Sequence, residues 1–126
     1  MTPGIAEHEL SEVMGRTSSL GSIDGANEYT PLDLFRYSSP GARDLTPGTG
    51  YFSINNGTTK LGTYNNPSNG GDAGDWASIL SGDSYGAFMR AGTTSVVSPT
   101  DVLENAVLGY HLTAAGSNAT QHLGLA

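Results

Sequence analysis

A chain of 126 residues with 12 Asp and Glu against 5 Lys and Arg carries a net charge of −7 and no cluster of basic residues, which argues against nucleic-acid binding and favours cations. With no cysteine, disulfide frameworks and thiolate metal sites drop out, and any metal must be held by His, carboxylate, Tyr or backbone oxygen. No run reaches the roughly 20 apolar residues that span a bilayer, so no membrane partner is expected.

The length suits one domain, but a hydrophobic share of 37% and 18 glycines predict a thin core and many turns. Only 13% of residues are charged, so Ser, Thr, Asn and Gly must cover the surface, a composition in keeping with secreted bacterial proteins. The opening Met1 to His8 shows no signal-peptide pattern, so the expectation is an intracellular chain or, preferred, a piece of a longer exported protein.

Three of the Ser/Thr-Pro pairs, Thr2-Pro3, Thr30-Pro31 and Ser98-Pro99, read as helix starts. The first helix is predicted from about Pro3 to Met14, with Gly15 as its left-handed stop. A short second helix should cover Pro31 to Tyr37, capped by Thr30 with Asp33 returning the bond. Tyr51 to Asn55 and Thr59 to Tyr64 read as a hairpin turning at Asn56-Gly57. Residues 65–74 form a loop, and Trp76 to Leu80 and Ser95 to Val97 are short apolar pieces. A last helix runs from about Pro99 to Leu108, capped by Ser98 with Asp101 returning the bond, and stops at Gly109, before a loose tail over 113–126. The fold class is α+β, with Leu34, Phe35, Phe52, Ile54, Trp76, Val102, Ala106 and Val107 expected in the core; Phe88 also reads as core.

The first helix holds the densest set of ionisable groups. His8 and Glu12 lie one turn apart with Glu9 beside them; Ala6, Leu10, Val13 and Met14 form an adjoining apolar stripe, and Glu7 and Ser11 point away. Zinc proteases place two His at i and i+4 around a Glu that acts as general base. Here Glu12 takes the second position, and a carboxylate ligates zinc at about 2.0–2.2 Å. Its negative charge weakens the metal as a Lewis acid. Gly15 stands three residues on, where metzincin-type sites carry glycine, and Ser18, a poor ligand, falls at the third-ligand position. Asp33, then Tyr37, are the candidates to complete the set; the alternative for Asp33 is a helix-capping carboxylate. Residues 66–75 could fold around Ca²⁺, although the Asp-x-Asp-x-Asp-Gly spacing is absent and a plain loop is the competing reading. Met89 is a candidate for the methionine that underlies metzincin sites, while His111 and His122 read as solvated. Asn56 and Asn118 begin glycosylation triplets of the kind that arise by chance.

The stretch from Glu7 to Arg16 resembles the helix of a bacterial family of secreted zinc-metalloprotease-like proteins, often exported or surface-sorted. Further matches are Asp33 to Ser38, Tyr51 to Ile54, Gly71 to Trp76, and Ser98 to Tyr110, colinear over about residues 5 to 112. The resemblance implies a metzincin-like C-terminal half over 1–112, with the family's N-terminal sheet absent and a flexible tail over 113–126. It also implies a secreted or cell-surface parent protein, and Glu12 belongs to the family pattern. The implied activity is zinc-dependent hydrolysis of a peptide or protein, with His8 and Glu12 as ligands, Asp33 completing the set and Glu9 as base. The alternative is a non-catalytic fragment or degenerate domain acting as a binding or structural module.

Overall fold

The computed structural model describes residues 2–21, 28–77 and 82–123. The chain forms α1 (Pro3–Val13), a 3-10 helix (Pro31–Phe35), strands β1 (Arg36–Ser39), β2 (Ala42–Arg43), β3 (Tyr51–Phe52) and β4 (Gly62–Thr63), a 3-10 turn (Pro67–Asn69), then α2 (Pro99–Val107), α3 (Ala114–Thr120) and a 3-10 turn (Gln121–Leu123). The strands make one antiparallel sheet in the order β2-β1-β3-β4, a mixed α+β architecture. No helix among the described residues is long and apolar enough to cross a membrane.

The two longer helices end in the same way, and their glycines are the reason. Gly15 has φ +107° and donates to Glu12 O, while Arg16 N reaches back to Ser11 O. Gly109, also at φ +107°, donates to Ala106 O, with Tyr110 N on Asn105 O. Both are Schellman closures, in which the left-handed residue lets its own amide and the next one satisfy orphan carbonyls. At α1 this closure turns the chain so that Arg16 passes beneath the helix it has just left. The start of α2 is held by reciprocal bonds between Ser98 and Asp101, as expected of that pair.

The core is aromatic. Leu32, Phe52, Tyr64, Trp76 and Tyr85 are buried together, with Phe35, Leu61, Leu103, Val107 and Leu108 packed on them. Tyr64 stacks on Trp76 at 5.2 Å between ring centres, and Phe52 lies 5.9 Å from Trp76. Such contacts supply large burial from few residues, which suits a chain poor in aliphatic side chains.

Several expectations are corrected. The second helix stops at Phe35, because Arg36 and Tyr37 pair with Phe52 and Tyr51 as β1. The hairpin pairs only Tyr51 with Thr63 and Phe52 with Gly62; Asn56 and Gly57 make its turn, both with positive φ. Ser53 breaks the alternation by donating its amide to Phe35 O and bonding Gly57 through its hydroxyl, so Ile54 is exposed, as are Leu34 and Phe88. Val102 and Ala106 are half-buried. The tail forms α3, capped by Thr113 and lying against α2, where a Cβ at Gly116 would come within 3.2 Å of Val102 Cγ1. Residues 78–80 of the expected apolar piece, and 124–126 of the tail, lie outside the described residues.

The largest correction concerns α1. Gly4 and Ser11 are its buried residues, and Leu10 and Val13 are 61% and 86% exposed. The helix turns its polar side inward because a buried arginine waits there: Ser11 Oγ donates to His8 O and accepts from Arg16 Nε at 2.6 Å. Gly4 permits the close approach, since a Cβ there would sit 2.7 Å from Ser95 Cβ.

Candidate metal centre

One turn of α1 brings His8 and Glu12 together as the spacing requires, with Nε2 of His8 3.2 Å from Oε1 of Glu12. The other ring nitrogen, Nδ1, lies 2.9 Å from the carbonyl oxygen of Ser84. A carbonyl can only accept, so Nδ1 carries the proton and donates, and in the neutral ring the lone pair is on Nε2. Ser84 is itself fixed, its amide bonded to Val96 O and its hydroxyl donating to Glu7. Glu7, expected to point away, thus faces inward.

A third residue closes on the same nitrogen. Asp75 Oδ1 is 3.5 Å from His8 Nε2 and accepts from Arg16 Nη1 at 2.6 Å. Arg16 is buried, also donates to Gly74 O, and lies over the Tyr85 ring at 4.5 Å. Its Nη2 stands 3.9 Å from Glu12. The potential ligand atoms of His8, Glu9 and Glu12 lie within 4.8 Å of one another, as do those of Glu12, Asp72 and Asp75. Both groups are close enough to hold a metal ion, and they share Glu12.

The electrostatics follow from burial. Desolvation raises the Glu12 pKa, opposed by His8 and Arg16 and reinforced by Asp75. Desolvation likewise raises Asp75 against the hydrogen bond and charge of Arg16. At Arg16 burial works to discharge the group, but Asp75 overrides it and the pKa ends above its ordinary value. In an isolated ion pair the carboxylate would be expected to shift down. That Asp75 shifts up means one guanidinium does not offset the desolvation of the carboxylates around it.

The other sequence candidates fall elsewhere. Asp33 belongs to neither group: its Oδ1 accepts from Ser18 Oγ at 2.6 Å and its Oδ2 from Thr30 N at 2.7 Å, so both oxygens serve the turn into the 3-10 helix. Tyr37 is buried in the sheet beside Tyr51 and Arg43. Asn65 and Asn69 bond each other and Asn66 caps Ser68, so within residues 66–75 only Asp72 and Asp75 join a metal-competent group. His111 is exposed, and the side chain of His122 lies outside the described residues. Met89, with Ile5, Gly86 and Ala87, lines a cavity of about 190 Å³ that His8 and Glu9 also border. Another cavity, of about 150 Å³, is lined by Glu12, Arg16, Ser18, Asp72 and Gly74 among others.

Sequence reasoning missed Asp75 and Arg16. The available signals were local: Asp75 ends the loop read as a possible Ca²⁺ site, and Arg16 directly follows the helix-stopping Gly15. Compared with known protein families, curated proteins and solved structures, the chain has no match in any of the three.

Proposed function

We propose that this chain is a metal-dependent, peptidase-like hydrolytic domain of metzincin-like kind, with His8 and Glu12 as cation ligands and Glu9 as general base. One observation carries the reading. Ser84 fixes the His8 tautomer so that the Nε2 lone pair faces the oxygens of Glu12 and Asp75 at 3.2 and 3.5 Å. Arg16 compensates the two carboxylates from one side but makes no contact with Nε2, and a proton or a metal cation between that nitrogen and the oxygens relieves the repulsion that remains.

Zn²⁺ is the preferred ion because imidazole suits it, and when bound it supplies Lewis-acid polarisation and acidifies water toward neutral pH. Ca²⁺ fits only the all-oxygen group of Glu12, Asp72 and Asp75. Glu9 is exposed yet close to both His8 and Glu12, as a base must be to take a proton during attack on a peptide carbonyl. The 190 Å³ cavity beside His8 and Glu9, walled by Ile5, Ala87 and Met89, suits an apolar side chain of the substrate. Exposed Leu10 and Val13 favour the second reading, a non-catalytic module that uses this apolar face for binding.

The test is hydrolysis of a quenched fluorescent peptide library by the zinc-loaded chain and its Glu9→Gln variant. The proposal expects turnover that falls about 100-fold or more in the variant while zinc content stays the same. No turnover by the loaded chain, or equal turnover by Glu9→Gln, supports the module instead.

A further inference from the structure

Asp75 reaches the His8–Glu12 pair on a loop that two buried arginines grip through consecutive carbonyls. Arg36 donates to Ala73 O at 3.2 Å, and Arg16 donates to Gly74 O at 3.2 Å and to Asp75 Oδ1 at 2.6 Å. The Asp75 carbonyl accepts from Asn65 N at 2.8 Å, so backbone and side chain are both placed. Arg16 is anchored in turn by Ser11 and Tyr85, yet its buried Nη2 has no hydrogen-bond partner. As a stabilising device this is poor, because a buried ion pair with an unsatisfied donor generally holds a fold no better than apolar side chains do. As a device for presenting one carboxylate to a neighbouring site it is well made.

We infer that Asp75 is the third protein ligand of the cation held by His8 and Glu12, and that Arg16 is the positioning residue that presents it. The inference rests on the reading of His8 and Glu12 as ligands. One imidazole and two carboxylates supply three protein ligands, the number a catalytic zinc site uses when it keeps a fourth position open. The charge also balances. Glu12 and Asp75 contribute two negative charges and Arg16 one positive, leaving the single negative charge of a site built from two His and one Glu. Arg16 thus offsets the loss of Lewis acidity that a second carboxylate brings. Asp72 shares a metal-competent group with Glu12 and Asp75, but it is exposed and, unlike Asp75, is not grouped or paired with His8, which leaves it outside this ligand set.

The experiment is zinc affinity of the full chain by competition with a chromophoric chelator, joined to a crystal structure of the chain grown with zinc. Asp75→Asn should weaken affinity about 100-fold, Arg16→Lys about tenfold, and Asp72→Asn less than threefold. In the cobalt-loaded form Arg16→Lys should also shift the visible absorption, which a merely structural arginine would not do. If Asp75→Asn binds zinc like the wild type while His8→Ala does not, the inference fails and the reading of His8 and Glu12 stands. If the wild type binds no zinc, both fall. Should Asp75→Asn fail to fold, the crystal structure decides: an Asp75 oxygen at about 2.0–2.2 Å from zinc supports the inference, and one beyond about 3 Å overturns it.

Discussion

Replacing Arg16 by Met keeps an unbranched chain of similar reach and removes the charge and every donor. In the metal-free protein this strips the 2.6 Å ion pair from Asp75, the bond to Ser11 Oγ, the bond to Gly74 O and the stacking on Tyr85. Breaking a buried pair from one side costs about 3–5 kcal/mol, because the surviving charge is left uncompensated. Against a total stability of about 6–19 kcal/mol for 126 residues, that is a large share. In urea, with a slope of about 2 kcal/mol per molar, the unfolding midpoint followed by far-ultraviolet circular dichroism should drop by about 2 M. Two companion measurements make the reasoning specific. The double variant Arg16→Met/Asp75→Asn should be more stable than the single by about 2 kcal/mol, since the most buried and most closely paired carboxylate is neutralised together with its partner. Zinc at about 100 times its dissociation constant should return about 2.7 kcal/mol to the wild type. A single variant that loses less than about 1 kcal/mol, or a double variant whose loss is the sum of the two singles, refutes the argument.

Three further outcomes follow from the buried groups and the helix ends. Asp101 is raised to about 8, mainly by burial and then by the charge of Asp83, so folding favours its protonated form. Its contribution to stability is complete below the ordinary Asp value and is lost as pH rises toward about 8; melting temperature should fall between pH 5 and 8, and Asp83→Asn should narrow that window. Equal melting temperatures across this range contradict it. Glu104 is buried and raised well above its ordinary value, chiefly by desolvation, with Oε2 unpartnered. Glu104→Gln should therefore raise the melting temperature at pH 8 and change it little at pH 4, and a loss at pH 8 would show the carboxylate to be needed. Gly109→Ala forces a side chain into φ +107° and should cost about 1–2 kcal/mol in urea unfolding, although open space surrounds the position.

What the sequence disclosed was local. The Ser98–Asp101 box and the stops at Gly15 and Gly109 are decided within a few residues, and the pairing of His8 with Glu12 follows from helical spacing alone. The orientation of α1 is a tertiary choice. Its apolar stripe suggested a buried Leu10 and Val13, but the neighbouring space is occupied by Arg16 and Ser84, so the helix offers Ser11 and His8 instead. Asp33 was singled out for its nearness along the chain, where its carboxylate is consumed by Ser18 and Thr30. Asp75 is remote in sequence, and only the folded loop, held by Arg36 and Arg16, carries it to the helix. Strand β1 went unseen because Arg36 is a buried arginine in a four-residue strand, a pattern that hydrophobic alternation does not register.

The most direct measurement is equilibrium dialysis against zinc, with metal counted per chain, for the wild type, His8→Ala and Glu12→Gln. The proposal expects one tightly held ion per wild-type chain and its loss from both variants. Zinc that is absent from the wild type, or retained equally by all three, contradicts the claim that His8 and Glu12 converge on a cation.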